Sequence, residues 1–217
     1  MSHINQLFNR RTFIKTTSTA VFGTTGMLAF PLKTELPLPV INQENINIVG
    51  PKKGFSPQIG TLVSMMNWMR SVVLGSVRRM NIKELDYIHD KDANSIGAML
   101  LHLGATERFY QINTFEGKRW GDWSSEDRKN WSIPSGLGER ARQTIKGHPL
   151  DYYLDKLKEV REYTLREFAK RDDDWLMAVD ENWGWGPTNN YCKWFHVCEH
   201  ESNHNGQIKW IRNRLPV

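Results

Sequence analysis

The 217-residue chain is 39% hydrophobic and 24% charged, which is enough apolar sequence for one domain with a full core. Its formal charge of +5 includes Arg10, Arg11 and Lys15, and residues 1–30 carry no acidic side chain, so the remainder carries only +2. This nearly neutral balance gives little basis for nucleic-acid binding, which needs clustered Lys and Arg to neutralise phosphates.

The first thirty residues have the pattern of a leader. A basic start precedes an apolar, threonine-rich run of about fifteen residues, fewer than the roughly twenty that span a bilayer. The stretch RRTFIK at 10–15 resembles the twin-arginine export signal. We therefore expect a signal peptide over 1–30, export by the twin-arginine route to the periplasm or extracellular space, and no membrane span in the mature chain. An uncleaved anchor is the alternative, because no clear small-x-small cleavage site precedes Pro31.

The next segment, residues 31–56, holds four of the nine prolines and little helical periodicity, so it is predicted to be an extended linker. The domain is predicted to cover residues 57–217. Its first helix begins near Pro57 and repeats apolar residues at helical spacing. The methionines on this face are predicted to fill the core, since methionine packs readily into irregular gaps.

A second helix is predicted over 95–115, with Ser95 as its cap. The following segment, Phe115 to His148, is rich in Trp, Gly and charge, and it predicts a long excursion with one short helix. Two interpretations of its tryptophans stay open: they line a pocket, or they form a satellite cluster over the core. The residues concerned are Trp120, Trp123 and Trp131.

A third helix is predicted from Pro149 to Arg171, and a fourth from about Asn189 to Arg214. Four long amphipathic helices without a convincing strand predict an all-α four-helix bundle, with the Trp-rich excursion between helices two and three. Cys192 and Cys198 lie six residues apart on the fourth helix, beyond bridging distance, so we expect two free thiols acting as small buried hydrophobes.

Three histidines on the fourth helix are spaced by four residues: His196, His200 and His204. Residues four apart are stacked neighbours on a helix, whereas residues eight apart are separated by about 12 Å and rotated by about 80°. One metal ion can therefore use His200 with either neighbour, but not all three. His102, within the apolar run of the second helix, is the natural third ligand from a facing helix.

The stretches SIGAMLLHLGATERFY and NNYCKWFHVCEHESNHNGQIKWIRNRLP resemble the DinB-like four-helix bundle superfamily, over roughly Pro57 to Pro216. The resemblance places the family's metal triad on His102, His200 and His204. It implies a divalent transition metal such as zinc, nickel or iron. A set of three imidazole ligands does not discriminate among these metals. The chain departs from the common pattern at Asn205, where a basic residue often follows the last histidine.

Other residues near the triad are candidates for supporting or catalytic roles. His196 is a candidate pocket residue, and Gln207, nearly in register with His200, is a candidate partner for a metal ligand. Glu107, Glu199 and Glu201 can orient imidazoles or bind protons, although a solvent-exposed acidic face is the expected position for Glu201. The candidate catalytic residues are thus His196, Glu107 and Gln207.

The resemblance implies a metal-dependent enzyme of thiol S-transferase type, acting on a small-molecule substrate with a low-molecular-weight thiol, and the leader adds the expectation that this enzyme is exported. Export complicates this function, because reduced small thiols are chiefly cytosolic. A metal-dependent hydrolase is the alternative enzyme, and a non-catalytic bundle that binds a ligand or partner through the Trp-rich excursion is the third hypothesis. A homodimer formed through the outer faces of the bundle is compatible with each of them.

Overall fold

The computed structural model describes residues 45–119 and 121–216, and most of these residues are helical. Four long helices are joined by short helices and a two-stranded ribbon. In chain order the elements are α1 (Pro57–Val77), α2 (Ile82–Leu85), α3 (Ile96–Thr114), α4 (Ser125–Gly136), α5 (Gly138–Thr144), α6 (Leu150–Phe168), α7 (Asp173–Met177), β1 (Val179–Asp180), β2 (Thr188–Asn189) and α8 (Asn190–Arg212).

The four long helices α1, α3, α6 and α8 form a bundle, which confirms the predicted all-α fold. In this bundle α8 packs against both α1 and α3, and α3 also packs against α6. Helices α3 and α8 run antiparallel, because Asn113 near the end of α3 contacts Lys193 near the start of α8. This pairing brings the middle of α3 beside the middle of α8, where the candidate metal ligands lie.

The helix starts follow from local capping chemistry. Pro57 occupies the first turn of α1, where its missing N–H costs no helical hydrogen bond. Ser95 caps α3 by accepting a hydrogen bond from the backbone N–H of Ala98, as predicted. The side chain of Asn189 caps α8 by accepting a hydrogen bond from the backbone N–H of Cys192, so this helix begins directly after strand β2.

The core is built from apolar side chains of all four long helices, and Met66 and Met69 are buried within it as predicted. Two glycines of α3 permit close helix contacts. A Cβ atom at Gly97 would lie 2.6 Å from the hydroxyl of Tyr153 on α6, and one at Gly104 would lie 3.0 Å from the ring of Trp131 on α4. These two contacts set α3 tightly between α4 and α6.

The excursion between α3 and α6 contains two short helices, α4 and α5, where one was predicted. Trp131 is buried against Ala105 and Val160, with Trp123 partly buried beside it. These two tryptophans therefore form a satellite cluster over the bundle. The third tryptophan, Trp120, lies outside the described residues.

Both cysteines are free, as predicted. Cys198 is partly buried, but the predicted burial of Cys192 is wrong, because this residue lies in the first turn of α8 with its side chain exposed.

The described helices include none that is long and apolar enough to cross a membrane. The predicted signal peptide at 1–30 and most of the predicted linker lie outside the described residues. Residues 45–56 form no helix, and Gly50 donates its N–H to Ser64 of α1.

Candidate metal centre

Three histidines meet between α3 and α8. Nε2 of His102 lies 2.9 Å from Nε2 of His200, and the centroid of the His204 ring lies 4.8 Å from that of His102 and 4.6 Å from that of His200. One nitrogen from each ring falls within 4.8 Å of the other two. Of the two pairings left open by helical spacing, the structure brings His200 and His204 together with His102.

The imidazole of His102 is oriented by α4. Its Nδ1 lies 2.8 Å from the carbonyl oxygen of Pro134. Pro134 falls in the last turn of α4, where carbonyls have no acceptor role within the helix and are free to bind side chains. Because a carbonyl oxygen can only accept, Nδ1 carries the hydrogen, and Nε2 presents its lone pair to the other two histidines.

The imidazole of His204 is oriented in the same way from its own helix. Its Nδ1 lies 3.0 Å from the side-chain oxygen Oε1 of Gln207, three residues further along α8. Nδ1 therefore donates to Gln207, and Nε2 is left as the ligand atom. A hydrogen-bonded partner on the outer nitrogen is the usual companion of a metal-binding imidazole.

Burial favours the neutral form of all three rings. Burial, reinforced by the neighbouring His204, His102 and His196, lowers the pKa of His200 to about 3. Burial and the nearby His102 lower the pKa of His204 to about 4, although the hydrogen bond to Gln207 opposes this change. Burial also lowers the pKa of His102, although hydrogen bonds that its ring donates to the backbone of α4 oppose this change. Neutral nitrogens with free lone pairs are what a divalent transition ion requires, so this donor set fits such a metal.

His196 lies one turn before His200, with 5.3 Å between the ring centroids. Its Nδ1 lies 2.9 Å from the hydroxyl of Tyr110 on α3, and its ring makes an edge contact with Trp185 at 5.2 Å. Glu199 approaches Nε2 at 3.9 Å. Burial lowers the pKa of His196, and the carboxylate of Glu199 opposes this effect. His196 thus extends the row of imidazoles without joining the three-nitrogen cluster.

The expectation that Glu201 is exposed is wrong, since only 1% of this residue is accessible. Its Oε1 accepts hydrogen bonds from Arg70 at 2.6 Å and from Arg161 at 2.9 Å. Glu107 lies in the same ionic network, bonded to Arg161 at 2.7 Å, to Arg70 at 2.9 Å and to Thr164 at 2.7 Å. Glu107 therefore binds arginines in the bundle core, where its carboxylate oxygens are occupied, and it orients no imidazole among the described residues.

The arginines of this network were not identified from the sequence, although a signal for them exists. Arg70 sits between Met66 and Val73 on the apolar face of α1, and Arg161 sits among the buried residues of α6. A charged residue on an apolar helical face indicates a buried ion pair, because an unpaired buried charge is strongly destabilising. Pro134, Tyr110 and Trp185 carried no comparable signal, since their roles depend on contacts between distant elements.

Comparison with known proteins agrees with this picture. Residues 61–216 match the family model described as mycothiol-S-transferase. A solved structure described as the conserved protein of locus from Enterococcus faecalis is similar, with a TM-score of 0.52 and 14% identity over 70% of this chain and 92% of that one. At this identity the likeness concerns the fold, and it supports the helical bundle. No curated protein matches the chain significantly.

Proposed function

Because the chain belongs to the mycothiol S-transferase family, we propose that it is a metal-dependent transferase acting on a small electrophile with a low-molecular-weight thiol. His102, His200 and His204 would hold one divalent zinc, nickel or iron ion. The observation that carries the proposal is the convergence of three neutral imidazoles, two of which have their outer nitrogens hydrogen-bonded to fixed acceptors.

A bound divalent ion would supply a Lewis acid that lowers the pKa of a thiol and favours its thiolate at neutral pH. The reaction then forms a bond between the thiol sulfur and a carbon of the electrophile as the bond from that carbon to the leaving group breaks. The leaving group departs with the electron pair, and the thiol proton passes to solvent. No oxidant or reductant is needed, so the two substrates suffice.

The residues of the chain have separate tasks in this reaction. Pro134 and Gln207 fix the orientation of His102 and His204. His196 lies beside His200 and is the candidate to receive the thiol proton, while the Tyr110 hydroxyl holds its ring in place. Glu199, half exposed beside His196, offers a path for that proton to solvent.

The experiment that tests the function measures thioether formation by the metal-loaded full chain with monochlorobimane and a panel of thiols, including mycothiol, glutathione and 2-mercaptoethanol. We expect turnover that requires both metal and thiol and that is lost in His200→Ala. Product formation from ester substrates without added thiol would instead indicate the hydrolase. Retained metal and fold, with no turnover of any electrophile or ester, would indicate the non-catalytic binding bundle.

Export through the twin-arginine route belongs to the same proposal. It rests on the RRTFIK stretch at 10–15, and it is compatible with a metal site because that route carries proteins that have already folded and taken up their metal. The mature protein would then act in the periplasm or outside the cell. Association into a homodimer is a separate question, which sedimentation of the purified chain answers.

A further inference from the structure

A cavity of about 500 Å³, here called the Trp210 cavity, lies between the start of α3 and the end of α8. None of the histidines of these two helices lines it. Its floor is apolar, because Met99 of α3 and Ile211 of α8 are both buried. Trp210, which is 44% exposed, forms a wall. The cavity thus offers solvent an apolar surface that has no part in the transferase proposal.

Gly206 leaves this cavity open. It lies in the interior of α8, where glycine is among the least favourable residues because its backbone loses the most freedom on folding. A Cβ atom at Gly206 would meet no neighbouring atom within 4 Å, so packing does not require glycine here. Gly97 and Gly104 of α3 differ, since each faces a close neighbour. What Gly206 contributes is space, because a larger side chain would enter the cavity.

The wall of the cavity is held in place before any ligand binds. The guanidinium carbon of Arg214 lies 3.9 Å from the centroid of the Trp210 ring. The ring of His89 meets Trp210 edge to face, with 4.7 Å between their centroids. A side chain that is already fixed loses little conformational entropy when a ligand packs against it, so these contacts favour binding.

The lining favours an uncharged ligand. Of the described residues that line the cavity, only Asp92 is charged, and it is exposed. An anion would be repelled by Asp92, and a cation would meet the guanidinium of Arg142, which donates to the backbone carbonyl of Asp92 at 3.2 Å. The amide oxygens of the lining are engaged within the protein. Gln207 accepts from His204, and Asn94 accepts from a backbone N–H of α5.

The size and composition of the cavity indicate a small aromatic molecule. Ligand sites commonly occupy about 300–1,000 Å³, and this cavity lies within that range. Nine residues line it, whereas a stable protein interface uses about 20–30 residues on each side, so a second copy of the chain is a poor occupant. The thioether of Met99 and the indole of Trp210 both make favourable contacts with aromatic rings.

We propose that the Trp210 cavity is a second ligand site, which binds a neutral aromatic molecule of one or two rings. The site is distinct from the candidate metal centre, and the inference does not depend on the proposed transferase activity. Its ligand is held by apolar and aromatic contacts with Met99, Trp210 and Ile211, in the space that Gly206 leaves open.

The test titrates 5-fluoroindole into the full chain and follows the fluorine NMR signal of the probe. We expect saturable binding with a Kd of about 0.1–1 mM, the range for a ligand of about ten non-hydrogen atoms. Gly206→Leu should weaken binding at least about tenfold, because leucine occupies the cavity. Gly75→Leu is the matched control and should leave the Kd unchanged, since Gly75 is an exposed glycine of α1 that also has no neighbouring atom within 4 Å of its Cβ position.

Two further titrations test the chemistry of the site. Trp210→Ala removes the aromatic wall and should weaken binding of 5-fluoroindole by about tenfold. The anionic probe 5-fluoroindole-3-acetate should bind the parent at least about tenfold more weakly than 5-fluoroindole. Chains with and without metal should bind 5-fluoroindole equally, because no histidine lines the cavity, so this result is independent of the proposed reaction.

Several results would overturn the assignment. They are the absence of saturable binding, equal Kd values for the parent and Gly206→Leu, an equal loss in Gly75→Leu, or tighter binding of the anionic probe. A dimer of the parent that dissociates in Gly206→Leu during sedimentation would make a second copy of the chain the occupant. Circular dichroism verifies the fold of each variant, and Gly206→Leu should retain it, because a better helix former enters open space.

Discussion

The side-chain oxygen Oε1 of Gln207 lies 3.0 Å from Nδ1 of His204. An amide oxygen can only accept a hydrogen bond, so this contact decides which nitrogen of His204 carries the hydrogen and which is left for a metal. The same side chain also lines the Trp210 cavity, the hollow of about 500 Å³ that Met99 of α3 and Trp210 of α8 border. Gln207 therefore both orients a candidate metal ligand and lines a neighbouring cavity.

Replacing Gln207 with leucine should weaken metal binding by about 10–100-fold, because the acceptor that orients His204 is lost. Competition with a chromophoric zinc chelator measures this affinity. Gln207→Glu keeps an acceptor oxygen and should retain most of the affinity, and Asn203→Ala, which alters the neighbouring side chain, should have little effect. Equal affinities of Gln207→Leu and the parent would show that the hydrogen bond does not support the site.

The metal content per chain tests the three ligands directly. The full chain, purified without a chelator or a histidine tag, should hold about one equivalent of a divalent ion, consistent with one three-ligand site. His102→Ala, His200→Ala and His204→Ala should each lose it, because two imidazoles hold an ion weakly, whereas His196→Ala should retain it. Elemental analysis gives both the amount and the identity of the metal. Loss in His196→Ala together with retention in His204→Ala would contradict the assigned triad.

The four long helices could be predicted because each carries its own evidence. Ser95 and Asn189 have capping side chains, and apolar residues repeat at helical spacing behind them. The short helices of the excursion and the ribbon before α8 were less predictable. They are held by contacts with residues distant in sequence, such as those of Trp131 with Ala105 and Val160. The spacing of apolar residues within these segments does not indicate such contacts.

The site was predictable only in part for the same reason. Helical spacing left His196 and His204 as alternative partners of His200, because each is a stacked neighbour on α8. The choice depends on how α3 and α8 are aligned along their axes, because this alignment decides which histidines of α8 His102 meets. That alignment is a property of the tertiary structure. The burial of Glu201 likewise depends on Arg70 and Arg161 from two other helices, and its local sequence resembles an exposed acidic face.

Changing Arg10 and Arg11 together to lysine tests export. The double variant keeps the leader charge but removes the arginine pair that the twin-arginine signal requires, so it should stay in the cytoplasm while the parent is exported. Fractionation of bacterial cells followed by immunoblotting measures the distribution, and a cytoplasmic marker protein controls for lysis. Equal distribution of the two chains would contradict export by this route.

Glu107→Gln should destabilise the bundle strongly. The substitution keeps the shape of the side chain but leaves the buried guanidinium groups of Arg70 and Arg161 with one fewer negative charge. Breaking a buried ion pair in this way costs about 3–5 kcal/mol of unfolding free energy. Urea denaturation measures the loss. Glu199→Gln is the matched control, because this carboxylate is half exposed and its replacement should change stability by less than about 0.5 kcal/mol.

The stabilising effect of Glu107 should depend on pH in a defined direction. Burial raises the pKa of Glu107, but the charges of Arg161 and Arg70, with hydrogen bonds from Arg161 and Thr164, outweigh burial and hold it below its usual value of 4.5. The folded state therefore binds this proton less readily than the unfolded state. The contribution of Glu107 is fully present above the unfolded pKa and declines as the pH falls through the lower, folded pKa.

The difference in unfolding free energy between the parent and Glu107→Gln should accordingly be constant from pH 7 to about pH 5.5 and shrink below about pH 4.5. Urea titrations of both proteins across this range, in chelator so that metal binding does not contribute, measure the difference. Glu199→Gln serves again as the control, and its difference from the parent should stay small throughout. A difference that grows on acidification would mean that the folded protein favours the protonated carboxyl, contrary to the charges that surround it.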